Sequence, residues 1–154
     1  MAEKVDPELC KKCGYRGTPL CTHPTGEYRE DDKDLLKRIS KLQMSGRGHL
    51  YHGWKDPDDD RCVLVARDNT TLDPKPSQKL YNHSPDGFNW GYHGSAPAQL
   101  ALAILFDVTE DANLSIRLHQ LFKDDFVAGW GSRWETTTQE VKAWVATNMP
   151  ADWV

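Results

Sequence analysis

Residues 87–107, GFNWGYHGSAPAQLALAILFD, run from a glycine-punctuated aromatic stretch straight into an apolar helix, and this transition decides the class of fold. Ser95 is placed to cap the orphan amides of a helix start, and Pro97 is tolerated in the first turn. Leu100, Ile104 and Leu105 recur at helical spacing, while Ala98, Ala101 and Ala103 permit close packing. The turn between, Gly91–Ser95, has two readings. Its glycines can let the helix pack tightly on a sheet, or it can form a pocket for a small ligand or partner. Exposed amides at the positive end of a helix are the elements of an anion site. However, GYHGSAPAQ lacks the third glycine of the dinucleotide fingerprint and the Gly-Lys-Ser/Thr of a P-loop. Trp90, Tyr92, His93, Gly94 and Ser95 are therefore the candidate ligand-binding residues, with no phosphate motif among them.

Downstream, a second helix over about 110–128 begins after Thr109 with Glu110 and Asp111 in its first turn, where carboxylates favour the dipole. Leu114, Leu118, Leu121 and Phe122 share one face. Thr137 and Glu140 form a capping box for a third helix, which buries Val141, Trp144 and Val145 and ends at Pro150. Upstream, RGHLYHGW and RCVLVARD read as two strands of a hairpin around KDPDDD. The aspartates at 56 and 58–60 read as a solvated tip, since no calcium-loop pattern follows them. LDPKPSQ reads as a loop, and KLYNH and GFNWGY as two further short strands around Ser84–Gly87. The expected fold is α+β, with short antiparallel strands followed by three packed helices.

The amino-terminal third differs in character. Residues 32–44, DKDLLKRISKLQM, place Leu35, Leu36, Ile39 and Leu42 at helical spacing. The expected organisation is a cysteine-rich element over 1–30, an amphipathic linker helix over 31–46 and the main α+β domain over 47–154. Cys10 and Cys13 form a C-x-x-C followed by Gly14, and Cys21 and His23 complete a set of three sulfurs and one imidazole. Such a set closes a tetrahedron around Zn²⁺, stapling a segment that has no core of its own. His49 or His52 can stand in for His23, and redox-active or unligated thiols are the alternatives. Lys11, Lys12 and Arg16 outweigh the formal negative charge of three thiolates on Zn²⁺, so nucleic-acid contact is a permissible use of this element.

The 154-residue chain is 38% hydrophobic and 27% charged, the composition of a globular protein with a real core. Its net charge of -4 argues against coating nucleic acid by bulk electrostatics. No apolar run reaches membrane-span length and the amino terminus lacks a signal-peptide stretch, so a cytoplasmic protein with reduced thiols is expected. No nucleophile is armed: His93 and Ser95 lie close in sequence, but no orienting carboxylate is evident, and a capping serine spends its oxygen on the backbone. His83, His93 and His119 read as polar surface or satisfied core groups, the alternative being convergence on a second metal or acid–base site. Trp130, Trp134 and Trp144 are expected among the last helices, leaving Trp54, Trp90 and Trp153 for exposed contact.

The stretch SPDGFNWGYHGSAPAQLALAIL, with HQLFKDDFVAGW and a final amphipathic helix, resembles an uncharacterised domain family of phages, prophages and other microbes. Its signature runs Phe-x-Trp-Gly-Tyr-x-Gly-Ser-x-Pro-x-Gln-Leu-Ala-Leu, and the likeness spans about residues 48–148, with Ala96 where glycine is commoner. The resemblance implies a mobile-element accessory protein and no particular activity. The function expected is a small non-catalytic binding or interaction protein acting on a host protein or a nucleotide-derived ligand. The alternatives are an enzyme acting on a nucleotide or nucleic acid at the Trp90–Ser95 turn, and a nucleic-acid-binding protein that uses the basic cysteine element.

Overall fold

The structure is a computed structural model that describes residues 30–56 and 58–150. The zinc-binding set expected at Cys10, Cys13, Cys21 and His23 lies outside the described residues, as does Trp153.

Alternating side chains in the hairpin create two faces, and both are covered. Strand β1 (Leu50–Asp56) pairs antiparallel with β2 (Asp59–Arg67), which pairs in turn with the two-residue β3 (Thr70–Thr71). On its other side β1 pairs antiparallel with β4 (Arg133–Thr137), giving a four-stranded sheet of order β3-β2-β1-β4. Leu50, Trp54 and Ala66 point to one face, where Ile39 of helix α1 (Glu30–Ser45) is fully buried against them. The expected linker helix is thus docked on the sheet, and an ion pair between Arg38 and Glu135 closes its edge. Tyr51, Val65 and Trp134 point to the opposite face and enter the main core. At the end of β2 the chain reverses through Asp68 in the left-handed region, a conformation aspartate tolerates. Its carboxylate accepts from the Leu50 amide at 2.9 Å and meets His49 Nδ1 at 2.6 Å.

Helix α2 (Lys75–Leu80) replaces the loop and strand expected around Pro76, because proline suits a first helical turn. Residues 81–94 form no strand: their backbone is held by side chains and by isolated backbone bonds rather than by a neighbouring ladder. Helix α3 (Ser95–Thr109) buries every residue from Pro97 to Leu105, as a helix apolar all round should. Gly94, not Ser95, is its N-cap residue, in extended backbone without a side-chain cap. Helix α4 (Ala112–Asp125) begins two residues later than its charge pattern suggests, with Asp111 accepting from the Leu114 amide as its cap. After a 3-10 turn (Val127–Gly129) and β4, helix α5 (Thr138–Asn148) starts at the expected capping box, Thr137 accepting from the Glu140 amide at 3.2 Å. The α+β class is as expected, but the strands do not all precede the helices. β4 lies between α4 and α5 and completes the sheet beside β1.

The tryptophans organise the core around one glycine. Trp130 stacks on Trp134 with ring centroids 4.0 Å apart, and Trp134 meets Trp90 edge to face. The Trp134 indole crosses Gly53, where a Cβ would lie 2.3 Å from its Nε1. Trp54 and Trp90 are buried, so neither is an exposed contact. Asp56 is buried as well and accepts from the Asp58 amide at 2.9 Å, so the acidic connection is not wholly a solvated tip.

Candidate functional site

The Gly91–Ser95 turn is held from beneath. Lys55, reaching up from β1, donates from Nζ to Asn89 Oδ1 at 3.0 Å and to the Trp90 carbonyl at 2.8 Å. The Gly91 amide donates to the Val127 carbonyl, and Gly91 has φ +85° with no room for a Cβ beside the Trp130 carbonyl. Only glycine meets both demands. Trp90 is fully buried and donates from Nε1 to the Gly131 carbonyl at 2.6 Å, so it supports the turn and reaches no ligand. Tyr92 is the presented aromatic, 47% exposed, its ring lying across the bare Cα of Gly94. His93 is exposed too and pairs through Nδ1 with Asp124 of α4 at 3.1 Å. Asp124 is a carboxylate that the sequence did not reveal, 31 residues away. Among the described residues no hydrogen bond joins His93 to the exposed Ser95, so a Ser-His-Asp relay is not assembled.

A second group adjoins the first through α4. Gln99, fully buried in α3, accepts at Oε1 from the amides of His83 (2.7 Å) and Ser84 (3.0 Å) and donates to Ser77 Oγ. This clip fixes the 81–84 loop and stacks the His83 ring on Tyr81, itself 55% exposed. His83 Nε2 then lies 2.8 Å from Nε2 of His119, a buried residue of α4. His119 donates from Nδ1 to the Ile116 carbonyl at 2.6 Å, so its Nε2 carries the lone pair and His83 is the donor between them. The structure therefore brings together His83 and His119 of the three histidines read from the sequence, and sets His93 on Asp124 instead. Lys123 connects the two groups, donating to Gln120 at 2.9 Å and lying 3.6 Å from Asp124.

Burial lowers the pKa of His119 and of His83, with help from the Lys123 charge, and burial lowers that of His52, whose Nε2 donates to the Asp68 carbonyl. The unfolded chain takes up these protons first, near pH 6.5, so the stability these groups contribute is complete above that value. It is lost as pH falls through the lower folded-state values. Melting temperature measured from pH 7.5 down to 5.5, above the carboxylate range, is expected to hold to about pH 7 and then decline, and a profile flat throughout would contradict the burial of these imidazoles.

A ligand-sized cleft of about 420 Å³ lies elsewhere, between β3, α2 and the carboxyl-terminal half of α3. Leu72, Pro76, Ala103 and Phe106 form its apolar lining, and Arg67 and Asp107 pair across its edge at 2.8 Å. The buried Tyr51 hydroxyl donates to the same Asp107 carboxylate, and burial together with that charge pushes the phenol above its ordinary range. Nothing in the sequence marked this trio, since its members come from three elements with no shared motif.

These features define a small α+β domain with a braced aromatic turn over the start of its central helix. The chain belongs to a family of unknown function (DUF6166), which matches residues 51–147. No curated protein and no solved structure matches it. Among the described residues no helix is long and apolar enough to cross a membrane, and no three His, Cys, Asp or Glu side chains gather as a metal set.

Proposed function

We propose that the protein is a small non-catalytic binding protein, an accessory of a phage-type mobile element, that engages a host protein or a nucleotide-derived ligand through the 91–95 turn. The observation that supports this reading is the presentation of Tyr92, an exposed ring seated on Gly94 above a turn held by Lys55 and the core. An aromatic side chain already braced in one orientation loses little entropy on contact, which favours binding. The mobile-element setting rests on the resemblance of the turn and helix motif alone.

His93→Ala tests the turn cleanly, because its partner Asp124 is solvent-exposed and such pairs contribute little to stability. Melting temperature is expected to stay within a few degrees, while the small molecule or protein that co-purifies with the wild type, read by mass spectrometry, falls at least about tenfold. Unchanged recovery in both His93→Ala and Tyr92→Ala would assign the turn to structure alone. Turnover of a nucleotide would replace the binding reading with the enzymatic one.

We further propose that Cys10, Cys13, Cys21 and His23 hold one structural Zn²⁺, on the strength of their spacing. Elemental analysis of protein purified without chelator is expected to find about one zinc per chain, and Cys13→Ser should release it. Metal-free protein would end this proposal. Steep salt dependence of nucleic-acid binding would move the contact surface to Lys11, Lys12 and Arg16.

A further inference from the structure

We infer that His83 and His119 form a site for an exchangeable divalent first-row transition ion, held by their two Nε2 atoms. Its other positions are open to water or to a donor group of a bound partner. The two nitrogens converge at 2.8 Å from different elements, one on the 81–84 loop and one on α4. His119 is oriented as metal-binding histidines usually are: its Nδ1 donates to a backbone carbonyl, which fixes the ring and aims the Nε2 lone pair at His83. His83 is steadied by its stack on Tyr81 and by the Gln99 clip on its backbone amide.

Two imidazole nitrogens bound at about 2.0–2.1 Å to one ion stand about 2.9–3.3 Å apart, so the hydrogen-bonded pair has only to open slightly to admit one. Intrinsic affinity for imidazole then favours Ni²⁺ and Cu²⁺ over Zn²⁺. Binding requires the His83 ring to turn so that its lone pair meets that of His119. The proton now shared between the rings passes to His83 Nδ1, so both imidazoles remain neutral and no net proton is released. The nearby Lys123 ammonium is engaged by Gln120 and offset by Asp124, which limits its repulsion of the ion. With two protein ligands the site is labile, suited to an ion that arrives with, or is shared by, a partner.

The test is a Ni²⁺ titration of the full chain followed by paramagnetic broadening of assigned amide signals. This readout separates the 81–84 and 116–120 segments from any ion held by the cysteine element. The expected result is saturable broadening of those two segments at micromolar Ni²⁺, weakened at least about tenfold in His83→Ala. That variant keeps the backbone amide on which the Gln99 clip depends, so the loop stays in place. His119→Gln, which retains a polar group at the buried position, should weaken binding equally. The absence of localised broadening at millimolar Ni²⁺, or wild-type affinity in either variant, would leave the pair as a hydrogen bond only and overturn the site.

Discussion

Gly53→Ala is expected to destabilise the protein by about 3 kcal/mol, lowering its melting temperature by roughly 10 °C, although the change adds a single methyl group. Gly53 stands in the middle of β1, opposite Val65 on one side and Trp134 on the other. A Cβ there would lie 2.3 Å from Trp134 Nε1 and 2.5 Å from its Cε2. The indole cannot simply withdraw, because Trp130 is stacked on it and Trp90 abuts it edge to face. The alternative is to part β1 from β4, which breaks the ladder that closes the sheet. Thermal unfolding of Gly53→Ala, Trp134→Leu and the double variant would locate the cause. If the clash dominates, the double variant is appreciably more stable than the sum of the single losses predicts. Full additivity would place the cost elsewhere.

Gln99→Leu should cost a similar amount, about 3 kcal/mol, for the opposite reason: the volume is nearly conserved and the polarity is lost. The Gln99 side chain is fully buried and accepts from two backbone amides, those of His83 and Ser84. Leaving a buried donor unpaired costs about 1–3 kcal/mol, and here two are stranded together. Ser77 Oγ also loses its donor, though it keeps its own bond to the Pro74 carbonyl. Beyond stability, the variant should release the 81–84 loop, so amide exchange at His83 and Ser84 accelerates and Ni²⁺ binding at His83 and His119 weakens. Unchanged exchange at those amides would show that the loop is held by the Gln78 bond to the Ser84 carbonyl instead.

The features legible in the sequence are those set by neighbours along the chain. Alternation over residues 50–67 specified the β1–β2 hairpin, and the spacing of Leu100, Ile104 and Leu105 specified the central helix. Thr137 and Glu140 marked the start of the last helix, because a cap is made within one turn of its own backbone. The stretch GFNWGYHGS announced a constrained turn before that central helix, but not what constrains it.

Tertiary structure decided the rest. Residues 133–137 became a strand through pairing with β1, about eighty positions earlier, and not through local preference. Residues 81–94, with the aromatic content of strands, found no neighbouring strand, and their polar backbone was taken up by Gln99, Lys55 and the Val127 carbonyl. The approach of His83 to His119, of His93 to Asp124 and of Arg67 to Asp107 spans 36, 31 and 40 residues respectively. Hydrophobic periodicity and capping are properties of a few consecutive residues, so the chain displays them before it folds. A contact between distant side chains exists only once helix and sheet have buried their faces against each other and fixed the distance between them.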